Sequence, residues 1–311
     1  TASYGMGGEQ HSVSGDGGKT WKRGSPESEP PYGLTLKNGD LLKITTPRSL
    51  KVSEVKLPPV YDSSRGERGR RHFNYYRLHE LPDVLQGVYL SRFPKGGNKW
   101  VPEHAKLNDP LALRYADNGL IPVVWWGDMR IAADGSIIAG IYPGFHIGED
   151  GKVNPNGIFF YRSTDDGRTW NIQGRLRYEH DLSKDPNGTK RYALGFTEPG
   201  FEILKDGTFI CVVRTQDQFG YSPMYISRSS DMGVTWSRPE VVTKMGVLPR
   251  LLQLDNGVVV MASGRPGMQL RFSFDGKGKQ WTDPFEMLPY DANNLRDRRA
   301  ISCGYPEIIP S

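Results

Sequence analysis

Short repeated units constrain this chain more than any figure of composition. STDDGRTW at 163–170 recurs as SSDMGVTW at 229–236 and SGDGGKTW at 14–21, with a degenerate copy, SFDGKGKQW, at 273–281. Self-similarity at intervals of tens of residues implies that each copy belongs to one supersecondary unit of a repeat architecture. The residue types describe a turn. Asp accepts hydrogen bonds from turn amides, Gly takes a backbone conformation closed to other residues, Ser or Thr ties the corner to its strand, and Trp closes over it as an apolar plug. None of these is an activated nucleophile or a proton donor, and a unique active site does not occur once per repeat. Asp16, Asp165, Asp231 and Asp275 are therefore read as structural.

A second kind of segment alternates with the first: YGLTLKNGDLLKI (32–44), MRIAADGSIIAGIY (129–142), FEILKDGTFICVV (201–213) and RLLQLDNGVVVMA (250–262). Each has two apolar runs around an Asn-Gly or Asp-Gly corner, which predicts a hairpin whose corner residues supply the positive φ angles of two-residue turns. Hairpin 129–142 precedes the box at 163, hairpin 201–213 the box at 229, and hairpin 250–262 the box at 273. Two hairpins make a four-stranded antiparallel sheet. Several such sheets in series, none able to bury both faces alone, predict an all-β fold of radially packed blades, a β-propeller forming one domain over 1–311. The 37 glycines, 23 prolines and 11% aromatic content, without long helical-period runs, agree with many short strands joined by turns. The final apolar segment, AISCGYPEIIPS (300–311), opens a blade the chain does not finish, so closure by the N-terminal segment or truncation of that blade is expected.

Charge and cysteine content narrow the function classes. A formal net charge of +5, with 40 basic and 35 acidic residues, is compatible with acidic substrates without arguing for them. Its one basic concentration, SSRGERGRRHF (63–73), reads as a solvated loop rather than a nucleic-acid stripe; Arg65, Arg68, Arg70 and Arg71 are candidates to fold over a pocket. Cys211 and Cys303 both lie in apolar strand-like segments, which excludes a disulfide framework. Histidines 11, 72, 79, 104, 146 and 180 show no metal-ligand spacing, so neither a metal nor a cofactor is expected. No apolar run is long enough to span a membrane, and no signal segment opens the chain.

With its boxes and hairpins, the chain resembles the sialidase (neuraminidase) superfamily, whose six-bladed propellers carry SxDxGxTW Asp boxes in their outer turns. The resemblance runs from residue 14 to the end. It implies chemistry at the inner-strand ends, around the central axis, and three segments match there. TEPGFEILKDGTFICVVR (197–214) resembles the segment in which a glutamate opens an inner strand and an arginine closes the hairpin, implying Glu198 as carboxylate partner of the nucleophile and Arg214 as a substrate clamp. GRPGMQLRFSFD (264–275) implies a second clamp, Arg265, and SCGYPEI (302–308) a catalytic Tyr305. Guanidinium groups bind carboxylates bidentately, and a tyrosine becomes nucleophilic when a neighbouring carboxylate takes its proton; tyrosine-nucleophile sialidases are a known exception among glycosidases.

The chain also departs from the pattern. Ser28 and Glu29 stand where the family's first-blade Arg-Ile-Pro arginine falls, and an acid there repels a substrate carboxylate. In the loop TTPRSLKVSEVKLPPVYDSS (45–64), Arg48 matches a pocket arginine, but for the acid/base only Glu54 and Asp62 offer carboxyls. Asp128, in WWGDMRI (125–131), heads an inner strand and is a third candidate carboxylate, while Trp126 is a candidate to stack on a sugar. The expectation is a secreted or periplasmic, monomeric exo-glycosidase acting on sialic acid or a related acidic sugar. The alternatives are a propeller glycosidase or lyase for another acidic glycan, and a non-catalytic glycan-binding propeller.

Overall fold

The computed structural model describes residues 2–3, 10–13, 20, 22–24, 33–66, 71–123, 125–191, 193–215 and 223–288. Asp16, Ser28, Glu29, Arg68, Arg70, Cys303 and Tyr305 lie outside them. Three short strands, β1 (Ala2–Ser3), β2 (Gln10–Val13) and β3 (Lys22–Gly24), pair in an antiparallel sheet of their own. In chain order there follow β4 (Leu34–Thr35), β5 (Leu41–Ile44), β6 (Leu50–Lys51), β7 (Asp62–Arg65), β8 (His72–Arg77), β9 (Val88–Phe93), β10 (Val101–Asn108), β11 (Leu113–Asp117) and β12 (Leu120–Ile121). Strands β4, β5, β9 and β10 make the first four-stranded blade. The second blade is β13 (Trp126–Ile131), β14 (Ile137–Gly144), β15 (Gly157–Ser163) and β16 (Thr169–Leu176). The third is β17 (Phe196–Ile203), β18 (Phe209–Thr215), β19 (Met224–Ser229) and β20 (Glu240–Thr243). The fourth is β21 (Val247–Gln253), β22 (Val259–Gly264), β23 (Met268–Ser273) and β24 (Phe285–Leu288).

The segments read as hairpins form hairpins, but not with the expected turn. In the second blade the Ala132 amide bonds the Ser136 carbonyl at 2.8 Å and the Gly135 amide bonds the Ala132 carbonyl at 2.9 Å. Only Gly135, at φ +83°, takes a positive angle there, and Gly39, Gly207 and Gly257 repeat this at their corners. These are three-residue loops, a type I turn closed by a left-handed glycine, rather than two-residue turns needing two positive angles. The Asp or Asn before each glycine stays right-handed and uses its side chain instead: Asp134 Oδ1 accepts from the Ser136 amide at 2.9 Å.

The boxes join the third and fourth strands of the second, third and fourth blades. In the second blade the Ser163 hydroxyl donates to Asp165 Oδ1 (2.8 Å) and accepts from the Gly167 amide (2.9 Å), Asp165 also accepts from the Thr169 amide (2.8 Å), and Trp170 Nε1 donates to the Gly167 carbonyl (2.9 Å). The third blade repeats this net with Ser229, Asp231, Thr235 and Trp236. The degenerate copy keeps Ser273 to Asp275 (2.6 Å) and Trp281 to Gly278 (3.0 Å). Hydrogen bonds from the Thr235 hydroxyl and amide and the Ser229 hydroxyl hold the Asp231 pKa down to about 2. Trp170 is completely buried, and beneath its box a Cβ added to Gly167 would meet Leu42 and Leu90 of the first blade. The plug thus seals one blade against the next.

Blades bury their faces on their neighbours. Ile138, Phe160, Phe201, Phe209 and Cys211 form a core shared by the second and third blades; Ile210, Val212, Leu251 and Met261 do the same for the third and fourth. Burying each such side chain contributes roughly 1.5–3 kcal/mol. Burial, with the Asp128 charge adding to it, pushes the Cys211 thiol pKa well up, so this free cysteine behaves as a small apolar group.

Two features were not legible in the repeats. The loop 45–87 and the segment 109–123 combine into an added five-stranded sheet, ordered β6-β12-β11-β8-β7. Its Tyr76, Leu78, Leu85 and Ile121 share a core with Leu42 and Leu90 of the first blade and with Ile141 and Phe159 of the second. In addition, β10 pairs in parallel with β16 from Lys106↔Thr169 to Asn108↔Asn171, joining the first two blades into one eight-stranded sheet. The described ends of the basic run, 63–66 and 71–73, belong to the added sheet, where Arg71 Nε donates to Asp117 Oδ2 at 2.7 Å.

Candidate active site

The first strands of the second, third and fourth blades, β13, β17 and β21, pack in succession and meet along the axis. Their side chains interlock in a charged net. Asp128 of β13 lies 3.4 Å from Arg130 and 3.8 Å from Arg250 of β21; Arg130 donates to Glu202 of β17 at 3.2 Å and to the Leu251 carbonyl at 3.1 Å. Burial opposes the charge on Arg130, but Asp128 and Glu202 outweigh it and raise the guanidinium pKa. Burial raises the Glu202 pKa, and Arg130 offsets this only in part. The net ties three blades together at the axis, and the sequence analysis anticipated only Asp128 of its members.

Counting back from the hairpin turns locates the opposite ends of the inner strands. Ile131, Ile203 and Gln253 pair with Ile137, Phe209 and Val259 at the three turns. Five residues before these stand Trp126, Glu198 and Leu248; five residues after the partners stand Tyr142, Arg214 and Gly264. Thr46, at the same offset in the first blade, brings the described rim positions to seven. The rim lies at the strand ends away from the Asp boxes, because Ser163, which opens a box, pairs with Ile137 at the turn end.

In the third and fourth blades the ladder is broken at the rim, with register shifts between Thr197 and Gly200 and between Val247 and Arg250. The cause is Pro199 and Pro249, which have no amide hydrogen to donate. The bulge throws the preceding residue into the left-handed region, Glu198 at φ +49° and Leu248 at φ +42°. A non-glycine residue held there is strained, and such strain collects at functional sites. Its effect on Glu198 is specific. Oε1 accepts from Arg214 Nη1 at 2.6 Å, and Oε2 accepts from the Leu248 amide at 3.0 Å, so the carboxylate is fixed between its own blade and the next.

The second blade has Gly127 where the others have proline, and its ladder runs unbroken to Trp126↔Tyr142. A Cβ on Gly127 would lie 1.8 Å from the Gly140 carbonyl oxygen, so only glycine permits this close approach. Trp126 is 48% exposed, yet its ring is held: Nε1 donates to the Thr46 hydroxyl at 2.5 Å, and the ring meets Tyr142 edge-on with centroids 5.8 Å apart.

The proposed site residues thus divide. Glu198 and Arg214 touch each other, and Trp126 shares their rim. Arg265 stands one residue past Gly264 at the same end of the fourth blade, also at positive φ (+52°). Arg48 is exposed two residues beyond Thr46. Glu54 pairs with Lys51 in an exposed 3-10 turn, and Asp62 sits on β7 of the added sheet, accepting from the Ser63 amide, so neither joins the axial net. Among the described residues no three His, Cys, Asp or Glu side chains converge as metal ligands. Tyr142, Thr46 and Leu248 were missed; the equal offset from successive turns was the signal that locates them.

Comparison with solved structures follows from this geometry. A protein of unknown function from Dyadobacter fermentans is 18% identical, with 88% of this chain and 71% of that chain covered and a TM-score of 0.51. What the two share is the fold. The Hadza microbial sialidase Hz136 is 16% identical over 89% of this chain and 52% of that chain (TM-score 0.44), so the present chain spans about half its length. The GH93 α-L-arabinofuranosidase of Fusarium graminearum, solved with arabinobiose, is 13% identical over 77% and 70% (TM-score 0.45). No family model matches the chain, and no curated protein matches it. Its solved neighbours include proteins named as sialidases and as arabinofuranosidases.

Proposed function

We propose that this chain is an exo-acting glycoside hydrolase built on a six-bladed, sialidase-type propeller and working on glycans outside the cytoplasm, with its site at the rim around Glu198. The observation that carries the reading is the Glu198 carboxylate, held at a strained bulge between Arg214 and the Leu248 amide. The internal repeat extends it. Glu198 precedes Pro199 and Leu248 precedes Pro249, and in the sequence Tyr305 precedes Pro306 in the same way, which makes Tyr305 the candidate for the next rim position.

In this reading Glu198 takes the phenol proton as the Tyr305 oxygen bonds to the anomeric carbon and the aglycone oxygen departs, protonated by water. The hydroxide left by that water then attacks the anomeric carbon, releasing the sugar as the Tyr305 oxygen leaves and takes its proton back from Glu198. Each Glu198 oxygen keeps a lone pair beyond the bond it already accepts. Arg214 orients that carboxylate, and Arg265 flanks the sugar. Asp128 is two residues deeper and faces two guanidiniums, an arrangement suited to fixing the floor of the site rather than delivering a proton.

Aryl glycosides test the proposal, because their leaving group needs little protonation. Glu198→Gln and Tyr305→Phe are each expected to lower release of 4-methylumbelliferone by about 10²–10⁴-fold in chains that circular dichroism shows to be folded. Activity retained in both variants sinks the assignment.

A further inference from the structure

We infer that the sugar bound at this rim is uncharged and is recognised by stacking on Trp126; the inference deepens the site proposed above and rests on that site. Among the described rim positions there is one guanidinium and one carboxylate, and they are bonded to each other at 2.6 Å. Positions equivalent to Arg214 are threonine, tyrosine and glycine in the other three blades, and those equivalent to Glu198 are tryptophan and leucine. Deeper on the axis, Arg130 and Arg250 face Asp128 and Glu202. A carboxylate arriving at Arg214 would share one guanidinium with Glu198, and two like charges at that separation oppose each other. Anion recognition relies on converging guanidiniums free to pair bidentately. The other described arginines near this end stand off the rim positions themselves, Arg265 one residue past Gly264 and Arg48 two residues past Thr46.

The positive argument is the ring of Trp126. Exposure alone is ordinary, since Phe274, Phe285 and Leu182 are more exposed than Trp126; what distinguishes Trp126 is an open ring held in one plane at the rim. Thr46 anchors its polar edge and Tyr142 braces its flank, leaving the ring itself as a rigid platform for the C–H face of a sugar. Because the plane is fixed before binding, little side-chain entropy is lost on contact. Gly127 is what allows β13 to run close enough to β14 for this pairing.

The test sets 4-methylumbelliferyl neutral pyranosides and pentofuranosides against the α-N-acetylneuraminide and the β-glucuronide, on the full chain and on Trp126→Ala and Trp126→Phe. In parallel, tryptophan fluorescence and calorimetry read binding of xylohexaose, mannohexaose and 3′-sialyllactose. Cleavage of a neutral glycoside in preference to both acidic ones supports the inference, with KM about 10-fold higher in Trp126→Ala, kcat little changed, and partial recovery in Trp126→Phe. Preferred cleavage of either acidic glycoside overturns the inference and leaves the hydrolase reading standing. Binding of a neutral oligosaccharide that Trp126→Ala weakens, with no hydrolysis, overturns the hydrolase reading and upholds the inference. Neither binding nor cleavage of any neutral sugar overturns it, as does a KM indifferent to Trp126.

Discussion

The second and third blades present the same two positions at the rim and fill them with opposite chemistry. In the second an unbroken ladder carries Trp126 beside Tyr142, an aromatic pair open to solvent. In the third a proline-induced bulge carries Glu198 beside Arg214, a charged pair of which Glu198 is 8% exposed. What lies behind each pair differs as well. The second blade is backed by the added sheet, and its own His146, bridged to Ala112, is buried against Phe159. The third is backed by the strap 177–195, in which Arg191 bonds Asp185, Asp185 accepts from the Tyr225 hydroxyl at 2.8 Å, and Arg191 reaches the Tyr178 hydroxyl at 3.2 Å. One scaffold position therefore serves two tasks, and the residue after it decides which: proline breaks the ladder and turns its neighbour inward, glycine keeps the ladder and leaves its neighbour on the surface.

The largest effect is expected where charge is buried. Arg214→Ala leaves the Glu198 carboxylate without its guanidinium and should cost about 3–5 kcal/mol in urea unfolding, whereas Tyr142→Ala, at the equivalent place, removes an edge contact worth about 1 kcal/mol. Equal losses would break the comparison. The next effect is a pH dependence on the second-blade side. Burial, with Arg175 and Arg177 adding to it, lowers the His146 pKa to about 4. Below its unfolded value near 6.5 the unfolded chain binds a proton that the folded chain refuses, so stability is complete above about pH 6.5 and falls as the pH drops toward 4, by roughly 3 kcal/mol in all. His146→Phe should remove that slope, and a slope that survives the substitution would show that His146 is not its source.

A smaller effect sharpens the role of the close approach. Gly127→Ala must push β13 away from the Gly140 carbonyl; a loss of about 1–3 kcal/mol is expected in thermal unfolding, together with a shift in Trp126 fluorescence as the ring leaves Thr46. An unshifted spectrum would mean that the ladder does not set the ring. The smallest effect is Trp126→Ala on stability itself, about 1 kcal/mol, since it removes the same edge contact with Tyr142 from a half-exposed ring. A larger loss would recast Trp126 as a packing residue.

The boxes were legible because each is closed by atoms within eight residues, as the Ser163, Asp165, Gly167 and Trp170 contacts show. The hairpins were legible for the same reason, although their turn type was not: Asp-Gly serves both the two-residue turn and the longer loop with a single left-handed glycine, and the flanking pairs decide between them. The added sheet was hidden because its strands are short, its pairing β6-β12-β11-β8-β7 is non-sequential, and its polar loops read as solvated chain. At the rim, Glu198 and Arg214 were found through resemblance. Tyr142 and Thr46 were not, since neither carries a chemistry that stands out until its partner is known.

By itself, then, the sequence determined the local closures: which corners turn, where tryptophans plug them, and that these units repeat as blades. Those depend on hydrogen bonds and backbone angles within a few residues. Only the tertiary structure decided that Glu198 is spanned by Arg214 and the Leu248 amide, that Trp126 is braced from two sides, and that Asp128, Arg130, Glu202 and Arg250 form one net. These contacts join residues from separate blades or opposite ends of a hairpin, and their energies depend on distances that exist only once the inner strands have met.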